Sequence, residues 1–177
     1  VATLVFGGEL TRCKLVERSV FPERTLATEV DFSGVTVRSL NFHSLTGCDY
    51  KKAKSSNFAS IADFLLSENM DFVAWDANEP KVDSLLGSEL QFFDNRDKGR
   101  CAAMIFGEES KHILRDSFKA YLLNSGAEVR GSPLATSYVM AGRPRRYDHI
   151  LHSPRWRVAK MDYDYESAKN ATSDHAI

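Results

Sequence analysis

This sequence of 177 residues lacks long hydrophobic runs and an excess of charge of either sign. Its longest unbroken apolar run, Cys101–Phe106, has six residues, whereas a membrane-spanning helix needs about 20. We therefore expect no transmembrane helix. Lys and Arg number 23 against 24 Asp and Glu, which gives a net charge of −1. This balance excludes a generally basic nucleic-acid-binding surface and leaves room for a local basic patch.

Cysteine is also scarce, and Cys13, Cys48 and Cys101 lie far apart without a C-x-x-C pair. This spacing argues against a zinc ribbon or a disulfide framework. Reduced thiols favour a cytoplasmic or other intracellular location. The chain opens on Val1 without the charged and apolar regions of a signal peptide. We expect that residues upstream were removed or are missing.

Hydrophobic residues are plentiful, at 43% of the sequence with 11% aromatic, which is enough for a sizeable core. The length fits one domain over residues 1–177. Alternating apolar residues predict a β-hairpin of Thr25–Phe32 and Val35–Phe42 around Ser33-Gly34. The apolar segment Val1–Phe6, ended by two glycines, predicts a strand before this hairpin.

Helical periodicity appears in the middle of the chain. Apolar residues spaced i, i+3, i+4 and i+7 predict an amphipathic helix over Ser55–Asn69, with Ser55 or Ser56 as N-cap. A second helix is predicted over Glu109–Ser125, ended by Gly126. The other predicted elements are a buried strand at Asp71–Asp76, a polar loop at Asp94–Arg100, strands at Ser137–Ala141 and Arg146–His152, and a polar tail from Met161. This order favours a mixed α+β fold with helices packed outside sheets.

Four short polar groups stand at the ends of predicted strands. They are Asn41-Phe42-His43, Asp76-Ala77-Asn78, Arg146-Tyr147-Asp148-His149 and Ser173-Asp174-His175. Taken singly, each has an ordinary structural explanation, such as a turn residue, a cap or a histidine at a sheet edge. Taken together, in this order and spacing, they favour a functional site.

These groups resemble motifs of the endonuclease/exonuclease/phosphatase superfamily, which includes DNase I-like nucleases, abasic endonucleases, sphingomyelinases and inositol polyphosphate phosphatases. Val73–Pro80 is similar to the G-D-x-N-x-P signature, Arg146–Ile150 resembles R-x-D-Y-I, and Ser173–His175 matches the closing S-D-H. The resemblance implies a four-layer α/β/β/α sandwich of the DNase I-like type, incomplete here at its N-terminal side.

The sequence departs from the family pattern in three places. Trp75 replaces the usual glycine of G-D-x-N, so we expect its ring to narrow or reshape the pocket. His149 replaces the usual tyrosine. The family's first two strands carry a catalytic Asn and a metal-binding Glu, and neither is present, because Val1–Val5 resembles the strand that follows them.

The resemblance implies catalytic roles for five residues in phosphoester hydrolysis. Asp76 would accept the proton of an attacking water, and Asn78 would orient that water or the phosphate. His175, supported by Asp148, would stabilise the negative charge that develops on the phosphate. His43 resembles the family's second histidine. Asp148 also needs a partner on physical grounds, because an unpaired buried carboxylate costs several kcal/mol.

Metal and phosphate contacts are expected from other residues. Asp174 is the natural oxygen ligand for Mg²⁺ or Mn²⁺, since these ions prefer one or two carboxylates plus waters. The segment 143–160 holds six basic residues and one acid, and Arg143, Arg145 and Arg146 are the expected phosphate contacts. An ordinary solvated loop is the alternative explanation of this basic segment. Arg146, two residues from Asp148, is also an alternative ion-pair partner for that carboxylate.

The sequence therefore predicts an enzyme, a Mg²⁺- or Mn²⁺-dependent phosphoesterase, and foremost a nuclease that hydrolyses phosphodiester bonds in nucleic acid. Two alternatives stay open. The first is a phosphatase or phospholipid-type phosphodiesterase of the same superfamily, because the core motifs are shared. The second is a non-catalytic relative that acts as a binding module, which Trp75 and the missing Asn and Glu support.

Overall fold

The structure is a computed structural model, and it describes residues 1–46, 51–79, 83–86, 89–92, 104–105, 110–126 and 133–176. The strands in these ranges are β1 (Glu9–Lys14), β2 (Thr25–Phe32), β3 (Val35–His43), β4 (Phe72–Asp76), β5 (Asp83–Leu86), β6 (Glu89–Phe92), β7 (Arg115–Asp116), β8 (Tyr138–Met140), β9 (Arg143–Arg145) and β10 (Asp148–His152). The helices are α1 (Lys51–Ser67), α2 (Ser117–Ser125) and α3 (Tyr165–Asn170), with a 3₁₀ turn at Pro22–Arg24.

A six-stranded sheet, in the order β1-β2-β3-β4-β10-β7, organises the described part of the chain. Its pairs are antiparallel except β3 and β4, which run parallel. Parallel neighbours need a crossover connection, and α1 supplies it. Two separate hairpins, β5-β6 and β8-β9, stand outside this sheet.

The hydrophobic core lies between α1 and one face of the sheet. Phe58, Ile61 and Phe64 of α1 are almost fully buried. They pack in one cluster with residues of the central strands, among them Leu40, Phe42, Val73, Trp75 and Leu151. Helical spacing puts the α1 residues on one stripe, and strand alternation puts the others on one face. The core therefore fixes which face of β3, β4 and β10 turns away from α1.

The predicted hairpin is confirmed, with Thr25 paired to Phe42 and Phe32 to Val35. Ser33 and Gly34 both have positive φ, 55° and 89°, as a two-residue hairpin turn of type I′ requires. The predicted strand at Asp71–Asp76 is confirmed as β4. Gly126 ends α2 in the left-handed conformation, as predicted.

Several element boundaries differ from prediction. Residues 1–5 form no strand, and the first strand is Glu9–Lys14. Leu4 and Phe6 stay about four-fifths exposed, so the apolar pattern lacks the pairing partner that makes a strand. Helix α1 already includes Lys51, so neither Ser55 nor Ser56 is its N-cap.

The second helix and the polar tail also differ from prediction. Helix α2 begins at Ser117 instead of Glu109, because the Asp116 side chain caps it by accepting from Lys119 N. The tail after Met161, predicted as merely polar, contains α3. The loop predicted at Asp94–Arg100 lies outside the described residues. Within the described ranges, we find no helix with the length and hydrophobicity needed to cross a membrane.

Candidate active site

Three predicted catalytic residues form a row across three neighbouring strands. His43 at the end of β3 pairs with Asp76 at the end of β4, and Asp148 at the start of β10 lies opposite Asp76 on the other side. Directly paired residues share one face of a sheet. His43, Asp76 and Asp148 therefore project from the face that α1 does not cover. His43 Nε2 lies 3.3 Å from Asp76 Oδ2.

Asn78 joins this row through a tight turn after β4. Its backbone N–H donates to Asp76 Oδ1 over 2.9 Å, and its side-chain Nδ2 donates to Asp76 Oδ2 over 3.1 Å. Asn78 has a φ of 50°, which Asn tolerates better than most residues. The buried Lys54 Nζ donates to the Asn78 carbonyl over 3.2 Å and pairs with Glu79 Oε1 at 3.1 Å. The turn that carries Asn78 is thereby anchored to α1.

His175 reaches the row from the far end of the chain. Its Nδ1 donates to Asp148 Oδ2 over 2.8 Å, so the expected hydrogen bond between these two residues is present. A β-bridge joins His175 to Tyr138, and the two rings stack with centroids 4.8 Å apart. The imidazole is thus held by a carboxylate on one nitrogen and by a ring against its face.

The ionisable groups of the site, His43, Asp76, Asp148 and His175, interact, and their charges affect the protonation of Asp76 and His175. Burial, followed by the nearby charge of Asp148, raises the pKa of Asp76 above its ordinary value, although Asn78, His175 and His43 act against this. Burial lowers the pKa of His175, but the hydrogen bond and charge of Asp148 outweigh it and leave that pKa raised. Asp76 therefore accepts a proton more readily than an ordinary aspartate, and His175 holds its proton more firmly than an ordinary histidine.

A cavity of about 550 Å³ opens over the row. Besides His43, Asp76, Asp148 and His175, its lining includes Asn41, Ala74, Trp75, His149, Ile150, Met161, Asp162 and Tyr163. Tyr163 donates its hydroxyl to the Asp148 carbonyl over 2.7 Å. The sequence analysis missed Tyr138 and Tyr163. No local signal marks them, because each reaches the site only through contacts between residues that are distant in sequence.

Ligand atoms of Asp76, Asp148 and His175 all lie within 4.8 Å of one another, so these three residues could hold a metal ion. The two carboxylates suit Mg²⁺ or Mn²⁺. The neighbouring charge of Asp148, second to burial among the causes that raise the pKa of Asp76, is one that a cation would neutralise. Asp174, the predicted metal ligand, is exposed and is not one of these three residues, so its role stays a prediction.

Arg146 does not face the cavity. It is fully buried, and its guanidinium donates to both carboxylate oxygens of Asp116, over 2.8 and 3.3 Å. This placement contradicts the predicted phosphate contact and also the alternative pairing with Asp148. Arg143 is exposed and Arg145 half-buried on β9. Arg145 lies opposite Tyr138, whose ring stacks on His175, and Arg143 lies opposite Met140 on the same hairpin.

The two unusual residues of the motifs face the core. Trp75 is 4% exposed, and its ring packs 4.3 Å from Phe42 and 5.3 Å from Phe58 between centroids. Successive strand residues point to opposite faces, so the ring lies on the core side while Asp76 takes the cavity side. Trp75 nevertheless belongs to the cavity lining, and a reshaped pocket stays a prediction. His149 is also buried, with Nε2 2.9 Å from the Glu79 carbonyl.

No protein-family model and no curated protein matches this sequence. Solved structures do match. A D. rerio TDP2 in complex with a single-strand DNA product has a TM-score of 0.53 at 12% identity, covering 96% of this chain and 66% of that one. TDP2 from C. elegans has a TM-score of 0.52 at 11% identity, and the match covers 85% of this chain and 43% of that one. The human Nocturnin catalytic domain with bound sulfate has a TM-score of 0.51 at 14% identity, and the match covers 83% of this chain and 48% of that one.

These neighbours belong to the endonuclease/exonuclease/phosphatase superfamily. The chain spans from 43% to 66% of the length of the three structures. At these identities the likeness concerns the fold alone. The predicted α+β fold of the DNase I-like type is therefore confirmed.

Proposed function

We propose that this protein is a metal-dependent phosphoesterase that hydrolyses phosphodiester bonds by in-line attack of an activated water, as a nuclease does. One observation carries the proposal. Five residues from four separate sequence groups, predicted to share a site, meet at one end of the sheet: His43, Asp76, Asn78, Asp148 and His175. Four of them line one open cavity of about 550 Å³, and Asn78 is hydrogen-bonded to one of the four, Asp76.

The proposed chemistry assigns a task to each polar group, and Asp76 and Asp148 have a second one as the metal ligands described below. Asp76 accepts the proton of the attacking water, a role that its raised pKa supports. Asn78 orients the water or a phosphate oxygen through its amide. His175 remains protonated through its bond to Asp148, so it donates to the negative charge that develops on the phosphate. His43, about half exposed beside Asp76, is placed to contact the phosphate.

The predicted Mg²⁺ or Mn²⁺ fits this donor set. Asp76 and Asp148 would hold it through their carboxylates, with Asp174 as the exposed neighbour. When bound, the ion would polarise a phosphate oxygen and neutralise charge in the transition state. Asn78 and His175 would still orient the water and the ester, because their hydrogen bonds to Asp76 and Asp148 are already in place.

The proposed substrate is nucleic acid. The neighbour TDP2 was solved with a single-strand DNA product, and the exposed Arg143 lies on a hairpin beside the site. A cationic side chain next to the phosphate site would hold the backbone of a strand without reading its bases.

A substrate panel tests the proposal. The chain is incubated with plasmid DNA, RNA and inositol phosphates, each with Mg²⁺, with Mn²⁺ and with EDTA. We expect nucleic acid to be cut in the presence of the metals and not in EDTA. Turnover confined to inositol phosphates would contradict the nuclease activity and indicate a phosphatase instead. Turnover that resists EDTA would contradict the metal mechanism.

A further inference from the structure

Ser137 stands where three parts of the candidate site meet, and the proposed chemistry gives it no role. It lies directly before β8 and is fully buried. Its Oγ accepts two backbone N–H groups, from Tyr147 over 2.8 Å and from Asp148 over 3.0 Å. A hydroxyl oxygen has two lone pairs, and these two donors occupy both.

The main chain of Ser137 makes two further hydrogen bonds. Its N–H donates to the Arg145 carbonyl over 2.9 Å, which ties it to β9. Its carbonyl accepts from Ala176 N over 2.7 Å, directly after His175. The residue that follows Ser137, Tyr138, stacks on the His175 ring. Ser137 therefore contacts the segment of Asp148 with its side chain and the segment of His175 with its backbone.

Asp148 depends on side-chain hydroxyls for its own backbone placement. Ser137 Oγ accepts its N–H, and the Tyr163 hydroxyl donates to its carbonyl over 2.7 Å. Because Asp148 is the first residue of β10, it lies where regular ladder pairing begins. Besides the pairing of Asp148 with Asp76, these two contacts hold the backbone that carries its carboxylate.

We propose that Ser137 is a positioning residue, whose buried hydroxyl sets where the Asp148 carboxylate meets the His175 imidazole. Removing the hydroxyl leaves two backbone N–H groups without their acceptor, those of Tyr147 and of Asp148 itself. The chain then shifts to recover those bonds, and a small misplacement of reacting groups lowers turnover strongly. The kinetic test of this role rests on the proposed function, because it needs an active enzyme. The spectroscopic test rests on the geometry alone.

The kinetic test compares Ser137→Ala, Ser137→Cys and Ser137→Thr with bis(p-nitrophenyl) phosphate and saturating Mn²⁺. Alanine deletes the acceptor, cysteine replaces it with a weakly accepting sulfur, and threonine restores a hydroxyl. We expect Ser137→Ala and Ser137→Cys to lower kcat by about tenfold or more with little change in KM, because substrate contacts stay intact. Ser137→Thr should recover most of the turnover.

The matched control is Thr25→Val. Thr25, the first residue of β2, is equally buried, and its hydroxyl accepts Val16 N over 2.9 Å and donates to the Pro22 carbonyl over 2.7 Å. Thr25 is not among the residues that line the cavity. This variant should lose thermal stability much as Ser137→Ala does and keep the kcat of the unaltered chain. An equal fall of kcat in both variants would assign the effect to general destabilisation and would overturn the proposal.

The spectroscopic test needs no activity. The proton between His175 Nδ1 and Asp148 should give a downfield nuclear magnetic resonance signal, retained in Ser137→Thr and Thr25→Val. It should shift or broaden in Ser137→Ala. An unchanged signal in Ser137→Ala, or a kcat within about twofold of the unaltered chain, would overturn the proposal. An inactive unaltered chain would contradict the proposed function, and the signal would still decide the role of Ser137.

Discussion

The imidazole of His175 donates through Nδ1 to Asp148 Oδ2 across 2.8 Å, although 27 residues separate the two in sequence. The contact forms because β10 places Asp148 opposite Asp76, and because a bridge to Tyr138 brings the end of the chain back to the same sheet edge. A carboxylate behind an imidazole fixes its tautomer and raises its basicity. This pair is the most direct target for mutation.

Replacing Asp148 by Asn should separate catalysis from stability. The amide keeps the shape of the side chain but loses the charge that keeps His175 protonated. We expect turnover of a phosphodiester to fall by roughly 10²-fold or more, while the free energy of unfolding changes by about 1 kcal/mol or less. Steady-state kinetics with saturating Mg²⁺ and urea denaturation measure the two effects, and His175→Ala should give a comparable loss.

Asp63→Asn is the matched control for that variant, because Asp63 is an exposed acid on α1 and the charge change is identical. It should retain full turnover. Undiminished activity in Asp148→Asn or His175→Ala would rule out the proposed role of the pair.

Metal binding should depend on Asp76. Its carboxylate is one of the three groups whose ligand atoms lie within 4.8 Å of one another. We expect Asp76→Asn to weaken Mn²⁺ binding by about 10- to 100-fold, the usual cost of disturbing a metal site. Titration calorimetry on the unaltered chain, on Asp76→Asn and on Asp63→Asn measures this directly. Equal affinity in all three would place the metal elsewhere.

The features that depend on local sequence were predictable. Alternation fixed the β2-β3 hairpin and its turn, and an acidic residue at the end of a short apolar strand marked Asp76. The direction of the Trp75 side chain was also predictable from strand alternation, although the comparison with the family motif led to a different expectation. Val73 and Trp75 alternate with Ala74 and Asp76, so the ring of Trp75 had to face the core if Asp76 faced the cavity.

Features that depend on distant partners were not predictable. The buried partner of Arg146 is Asp116, 30 residues earlier in the chain, at the end of a strand of two residues. No spacing rule indicates such a pair. The apolar pattern of Val1–Phe6 likewise said nothing about whether another strand would pair with it. Ser137 could not be distinguished from any other serine until its two donors were placed in space.

Replacing Trp75 should affect the stability of the fold more than the binding of substrate. Its ring fills the core between Phe42 and Phe58. Truncation to Ala should cost about 3–5 kcal/mol of unfolding free energy, the usual cost of removing a large aromatic side chain from a core. Trp75→Phe should cost less and leave KM for the substrate unchanged, because strand alternation turns the ring to the core side of β4, away from the Asp76 carboxylate. A large change of KM in a folded Trp75→Phe chain would show that the ring shapes the cavity.

Arg143 should contribute to substrate binding without taking part in the chemical step. It is exposed on β9, in the hairpin that places Tyr138 against His175. We expect Arg143→Ala to raise KM for DNA and to reduce the dependence of log affinity on log salt concentration by about one unit. Arg12→Ala, an exposed arginine on the edge strand β1, is the control and should change neither. Equal effects of both variants would indicate non-specific attraction alone.

The buried pair of Asp116 and Arg146 should make stability depend on acid pH. Burial alone would raise the pKa of Asp116, but the Arg146 guanidinium and a contact with His149 outweigh it and hold that pKa far below its ordinary value. A carboxyl whose pKa is lowered by folding contributes stability above its unfolded pKa of about 4. That contribution is lost progressively as the pH falls below this value.

Asp116→Asn tests this contribution, because Asn can still cap α2, whereas it removes the charge and one of the two oxygens that accept from Arg146. At neutral pH the variant should be less stable by about 3–5 kcal/mol, the usual cost of leaving one buried partner unpaired. The difference from the unaltered chain should shrink between about pH 4 and pH 2, since the unaltered chain loses the same contribution there. Urea denaturation across this range measures it. Asp164→Asn alters an exposed cap of α3 and should leave only a small difference at every pH, whereas a constant gap for Asp116→Asn from pH 7 to pH 2 would contradict the buried ion pair.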